Sequence, residues 1–435
     1  MLRNSKTGVA LAFLFAGSMW FYFQRVLVPH QRSEAAVRQA PRGNLSDLYP
    51  RWLGARELLL HHRDPYSAEV TREIQTGYYG RQLDPSRRGD PKDEQAFAYP
   101  VYVVLLLAPT VELPFRRVRV GFEWLLIAMT AAGVWLWVRA FQWQPPAGVG
   151  VVATVLVLGS FAAVQGVKLD QLSLLVAGMI ALCAALLTNG HLLTAGIVLA
   201  IATIKPQLVA PLAVCLLFWA ATNWAKRQRF VWGFGLAVIA LLGGGELILS
   251  GWMRKFWAAM GEYLRYTGGI SLLDIMLSPL WGRLASLALM MALAWTVWRF
   301  RRADPQSQQF SCLLAAVLAA TLIVVPMVAP YNQILLVPAM LLVVREWRAL
   351  WITNALAKAL CMATVLVVGW QWAGALALVV ASFWLPPETV QKGWTLPLHT
   401  ILVIPFVLLF QTAVLVGRAW TPAANVPERA VASLQ

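Results

Sequence analysis

Apolar runs of about 20 residues recur along the whole chain, separated by short polar turns, and that is the length a membrane-crossing helix needs. The first runs from Gly8 to Val28. It is long and lacks an Ala-x-Ala site, so it reads as a retained anchor rather than a cleaved signal peptide. Further runs cover 97–113, 120–138, 148–165, 172–187, 191–223, 231–249, a stretch ending at Arg299, 310–328, a stretch ending at Arg345, 355–370, 373–385 and 396–416. The pattern predicts an all-α polytopic membrane protein, a bundle of 12 or 13 transmembrane helices. It forms one integral membrane domain over 1–435, with core spans in 97–350, C-terminal spans in 351–417 and a tail at 418–435 of unassigned side.

Two runs are ambiguous. The segment 148–166 reads either as a full span or as a re-entrant element, and the re-entrant version is favoured. It brings Lys168, Asp170, Gln171 and Lys205 to one side, and irregular backbone at membrane depth is tolerable where it lines a cavity. The segment 191–223 is too long for one straight helix and breaks at Lys205-Pro206.

The one large hydrophilic region, 29–96, follows the first span. Ser46 or Asp47 is expected to cap a helix in which Leu48, Trp52, Ala55 and Leu59 share a face, an amphipathic helix on the bilayer surface. The stretch that carries it runs from Asn44 to Ser67. Asp64-Pro65-Tyr66 ends that helix with a turn, and a second helical piece is expected near 67–79. A shorter polar loop, 251–272, carries Trp252, Arg254, Lys255, Trp257, Arg265 and Tyr266. Basic clusters at Arg116, Arg117 and Arg119, at Lys226, Arg227 and Arg229, at Arg299, Arg301 and Arg302, and at Arg345 and Arg348 set the orientation. Positive turns stay in the cytoplasm, as do Arg3 and Lys6, which puts 29–96 and 251–272 outside.

Composition agrees. With 59% hydrophobic and only 13% charged residues the chain cannot be a soluble globular protein. The net charge of +16 comes in short clusters between spans, which suits cytoplasmic turns and anionic lipids rather than nucleic acid. Cys183, Cys215, Cys312 and Cys361 all fall in apolar segments, with no disulfide or zinc spacing. The five histidines show no ligand pattern, so neither a metal nor a cofactor is expected.

A carboxylate at the membrane–water boundary, such as Asp47, suits one chemistry: taking the proton of a hydroxyl while a lipid-borne group is transferred to it. Asp47-x-Tyr49, then Trp52-x-x-Ala55-x-x-Leu58-Leu59 and Asp64-Pro65-Tyr66, resembles the first-loop signature of glycosyltransferase family 87. Similar pieces are Phe97-Ala98-Tyr99-Pro100, Asp170-Gln171-Leu172-Ser173, Ala195-Gly196 through Lys205-Pro206, and Pro330-Tyr331-Asn332-Gln333. The family often has Gly-Gln where this chain has Asp170-Gln171.

The resemblance implies a GT-C-type membrane enzyme of the cell envelope, similar to α-mannosyltransferases. Such an enzyme moves mannose or a related hexose from a polyprenyl-phosphate donor to a lipid or glycan acceptor. It implies an inner-membrane location with the active site on the extracytoplasmic face. Asp47 is then the general base of an inverting reaction. Lys205, Lys168, Gln171, Tyr331, Gln333 and Arg265 are candidates for the donor phosphate and sugar, Asp93 or Glu94 for a second acidic position, and Tyr99 and Trp52 for the pocket lining. Two other readings remain open. Broken helices and intramembrane charge also suit a transporter or flippase of a lipid-linked or small polar solute. A glycan polymerase or ligase would share the fold.

Overall fold

The computed structural model describes residues 5–43 and 46–420, with no strand among them. Residues 1–4, which include Arg3, Asn44 at the start of the expected surface stretch, and 421–435 of the tail lie outside that range, as does the Tyr266 side chain.

Helix α1 (Ser5–Phe21) runs through a π-helical turn, Tyr22–Leu27, into α2 (Val28–Val37). The first span therefore stays helical past Val28, its predicted end. Pro29 is tolerated in the first turn of α2, and Glu34 pairs with His30 and Arg38 at helical spacing. Next come α3 (Leu48–His61) and α4 (Ala68–Tyr79), the latter capped where the Ser67 side chain accepts the Val70 amide. Between them the Asp64 carboxylate accepts the Tyr66 amide at 2.9 Å, closing the predicted turn. Helix α3 buries more than the predicted stripe, including Pro50, Gly54 and Glu57 as well as Leu48, Trp52 and Ala55. It leans on the protein: Gly54 lies against the Phe97 ring, where a β-carbon would sit 2.4 Å away.

The segment 97–113 was expected to cross the membrane and does not. Only α5 (Val103–Leu107) and a following 3₁₀ turn are helical, because Pro100, Pro109 and Pro114 break the run. Both of its ends touch α3, Phe97 at Gly54 and Thr110 through its carbonyl to the Trp52 indole. Its irregular backbone is buried in protein, which is what makes it tolerable.

The bundle thus has an α3 end and a far end. Helix α6 (Phe115–Ala140) starts at the α3 end, so Arg116, Arg117 and Arg119 lie on Asp47's side and not opposite it. Helices α7 (Ala147–Leu158) and α8 (Phe161–Lys168) meet at a 52° bend. Where a re-entrant element was expected, the pair runs from one end of the bundle towards the other. Gly150 packs on Trp135 near the far end of α6, whereas Leu169 accepts the Asp47 amide at the α3 end. With no helix of spanning length at 97–113 and this bent run after α6, Asp170 and Gln171 stand beside Asp47.

Helices α9 (Leu172–Thr188), α10 (Leu192–Ala202), α11 (Pro206–Ala221) and α12 (Trp224–Ile248) run alternately between the two ends. Lys205 sits at the α3-end turn between α10 and α11, with Pro206 as the first residue of the new helix. Gly196 and Gly233 let α10 and α12 touch backbone to backbone, since a β-carbon at either would lie within 2.3 Å of the other helix's carbonyl oxygens. Helix α13 (Trp252–Thr267) lies across the α3 end, followed by α14 (Leu272–Leu277) and α15 (Pro279–Arg299).

Helix α16 (Gln308–Val324) is buried from Phe310 through Ile323 and forms the centre of the bundle. After a 3₁₀ turn, Pro330–Leu336, come α17 (Val337–Arg345), α18 (Trp347–Thr353), α19 (Ala355–Ala381), α20 (Pro387–Lys392) and α21 (Ile404–Trp420). The expected separate span at 373–385 belongs mostly to α19, which continues unbroken through Trp370.

Among the described residues five helices are long and apolar enough to cross a membrane, α7 with α8 reaches that length as a bent pair, and six apolar helices are shorter. This is a polytopic all-α membrane protein. The four cysteines are free and buried.

Candidate active site

At the α3 end the ends of several helices enclose a cavity of about 650 Å³. Its wall is built from Asp47 and Arg51 of the first loop, the 92–99 strip, Gln171, Lys205 and Gln207, the α13 face with Met260, Tyr263 and Arg265, and Met327 and Tyr331.

Asp47 immediately precedes α3, yet its carboxylate does not cap the helix. It accepts the Gln171 side-chain amide instead, and Ser46 gives its hydroxyl to Asp170 at 2.7 Å. The expected capping role is therefore replaced by contacts to the α8–α9 turn. Burial pushes the Asp47 carboxyl up from the ordinary aspartate range, and Arg51, one helical turn on, partly opposes this. The Arg51 guanidinium donates to the Asp47 carbonyl and lies 4.5 Å from the centre of the Tyr99 ring.

Lys205 is 3% exposed. Its ammonium donates to Gln171 at 2.9 Å and to Ser173 at 2.6 Å, and Ser173 in turn donates to Asn332 at 2.7 Å. The Tyr331 ring stands 5.1 Å from the ammonium and the Tyr99 ring 6.0 Å. One continuous chain of polar groups thus runs from Asp47 through Gln171 and Lys205 to Asn332. An ammonium carries three donors, and these two contacts leave one to meet a ligand.

A family model for glycosyltransferase family 87 matches residues 97–330. The chain belongs to glycosyltransferase family 87. No curated protein and no solved structure matches it. The matched stretch of this family 87 glycosyltransferase contains Tyr99, Gln171, Lys205 and Arg265 of the cavity wall, whereas Asp47 and Arg51 precede it.

Of the residues singled out from the sequence, Asp47, Gln171, Lys205, Tyr331, Arg265, Asp93, Glu94 and Tyr99 share this wall. Asp93 turns its carboxylate back onto the Gln95 amide and side chain, at 3.0 and 2.6 Å. Three others lie elsewhere. The Lys168 ammonium stacks 5.2 Å from the Trp20 ring, Gln333 donates to the Ile401 carbonyl at 2.6 Å, and Trp52 is buried between Tyr49 and Phe115.

Sequence reasoning missed Arg51, Gln207 and Tyr263. Arg51 stands four residues after Asp47 on the same helix face, a spacing that was there to be read. Gln207 carries a buried side-chain oxygen without a hydrogen-bond partner and faces the cavity. Among the described residues no three His, Cys, Asp or Glu side chains gather closely enough to hold a metal ion.

A second cavity, of about 970 Å³, lies between the 64–97 loop and α13. It shares Lys92, Glu94, Ala96, Ala259 and Glu262 with the first, so the two abut along that wall.

Proposed function

We propose that this family 87 enzyme transfers a hexose, mannose or a close relative, from a polyprenyl-phosphate donor to a hydroxyl of a lipid or glycan acceptor. The acceptor oxygen attacks the anomeric carbon from the face opposite the phosphate, and Asp47 takes the hydroxyl proton. The bond from the anomeric carbon to the phosphate oxygen breaks, its electron pair leaves with the polyprenyl phosphate, and configuration inverts. Lys205 and Arg51 meet the charge that develops on the leaving phosphate, while Tyr99 and Tyr331 wall the sugar. Gln207 accepts a sugar hydroxyl, and Arg265, Asp93 and Glu94 face the entrance. The donor's tail lies in the bilayer along the exposed apolar faces of α12 and α15, at Leu236, Ile239, Leu284 and Leu287.

One observation carries the reading: a buried carboxylate and a buried ammonium, joined through Gln171, border the same open cavity. The carboxylate lies near cations that suit one phosphate.

The orientation follows from charge. Arg227, Arg301, Arg302 and Arg345 cluster at the far end, which supports a cytoplasmic far end and an extracytoplasmic cavity, with Arg116, Arg117 and Arg119 as the basic cluster that stands on the cavity side. The whole chain then acts as one membrane unit, with the first loop and α13 as its substrate-facing cover.

The test is transfer of label from radiolabelled polyprenyl-phosphate mannose, and then from the glucose, galactose and arabinose donors. Purified protein in proteoliposomes is supplied with acceptors extracted from the host membranes. Transfer without any ion gradient supports a transferase over a transporter. No transfer from any of these donors sinks the reading.

A further inference from the structure

Residues 46–47 and 169–171 are joined at three points. The Leu169 carbonyl accepts the Asp47 amide at 2.8 Å, the Asp170 carboxylate accepts the Ser46 hydroxyl at 2.7 Å, and the Gln171 amide donates to the Asp47 carboxylate. The three acceptors and donors point the right way because of the backbone at Asp170. There φ is +52°, in the left-handed region that glycine fills most easily.

This is the closing turn of α8. The Asp170 amide reaches the Val167 carbonyl at 3.1 Å and the Gln171 amide reaches that of Gly166 at 2.8 Å, the paired bonds of a helix C-cap normally centred on glycine. Capping therefore asks for no side chain at this position. A carboxylate there is unfavourable twice over, in backbone conformation and in burial, for Asp170 is only 1% exposed. Its compensation is specific: the Ser46 hydroxyl, and the Arg119 guanidinium whose Nε lies 3.4 Å from the same oxygen. Arg119 also donates to the Lys168 carbonyl at 3.3 Å, gripping the end of α8. Neither Asp170 nor Arg119 lines the cavity.

We propose that Asp170 is a positioning residue for Asp47: its carboxylate, balanced by Arg119, holds Ser46 and so fixes the backbone that aims the Asp47 carboxylate into the cavity. The inference rests on Asp47 being the general base. It explains why a position suited to glycine holds a buried acid in this chain.

Asp170→Gly is a clean probe, because glycine fits the backbone better than aspartate and the fold is kept. Label transfer from polyprenyl-phosphate mannose in proteoliposomes is expected to show kcat lowered about tenfold to a hundredfold, the cost of a displaced catalytic group. The donor KM and the melting temperature in detergent should stay near wild type. Asp170→Asn, which keeps an oxygen acceptor and tolerates the left-handed region, should restore most of kcat. Ser46→Ala should lower kcat alone and add nothing on top of Asp170→Gly, since both act through one contact.

A measurement that needs no substrate accompanies these: hydrogen exchange of the Asp47 amide should speed up in Asp170→Gly. Wild-type kcat in Asp170→Gly, together with an inactive Asp47→Asn, overturns this inference alone. Unchanged exchange at Asp47 overturns it whatever the activity. An active Asp47→Asn overturns the base assignment, and this inference falls with it.

Discussion

Two buried cations, at opposite ends of the bundle, are treated in opposite ways. Arg227, at the far end, is 7% exposed and spends its donors on backbone. It reaches the carbonyls of Trp219 and Arg301 at 2.9 and 3.0 Å and those of Arg302 and Ala303 at 3.4 and 3.0 Å, with its guanidinium 3.9 Å from the Trp219 ring. Lys205, 3% exposed, meets no backbone carbonyl; its partners are the Gln171 and Ser173 side chains, and it faces an open cavity. Arg227 ties together the ends of α11 and α15, which would otherwise present unpaired carbonyls. Lys205 ties no helix end to another; its two hydrogen bonds go to side chains of the α8–α9 turn and the start of α9. A buried charge satisfied by backbone is part of the scaffold, while one held by movable side chains at a cavity is available to a ligand.

The sharpest way to break that contrast is to remove each charge. Lys205→Met should lower transfer by about 10²- to 10³-fold, the usual loss when a group stabilising transition-state charge is removed, with little change in melting temperature in detergent. Arg227→Met should do the reverse: melting several degrees lower because buried carbonyls lose their partners, and near-normal kcat per folded molecule. Equal effects on both properties in both variants would erase the distinction.

The pH dependence should show a smaller effect of the same kind. Because burial raises the Asp47 carboxyl, transfer should be lost on acidification through a limb above the ordinary aspartate value of about 3.9. The folded protein then holds that proton more tightly than the unfolded chain does. The resulting stability is fully present below the ordinary value and lost as pH rises through the raised one. Asp47→Asn is therefore expected to melt slightly higher than wild type at pH above that limb, with no such gain in strong acid. The smallest effect is expected at Lys168. Its ammonium sits over Trp20 and outside the cavity, so Lys168→Met should leave transfer within about twofold, as surface changes away from a site usually do.

Much of this was legible in the sequence. Lys205-Pro206 marks a break whichever way the chain runs, Ser67 announces α4, and a polar loop carrying Asp47 stands out in an apolar chain. The stretch 97–113 misled, because hydropathy cannot tell burial in protein from burial in lipid; only Pro100 and Pro109 within it and Pro114 just after it hinted that no spanning helix would form. That error reversed the expected side of Arg119, now seen paired with Asp170. Arg51 was not singled out, and the left-handed turn at Asp170 leaves no signature when the residue is not glycine.

The account depends most on Asp47, and one comparison on one protein tests it directly: donor binding and label transfer by Asp47→Asn in proteoliposomes. The account predicts binding of polyprenyl-phosphate mannose close to wild type and transfer reduced on the order of 10³-fold, as loss of a general base does. Transfer at the wild-type rate would contradict it.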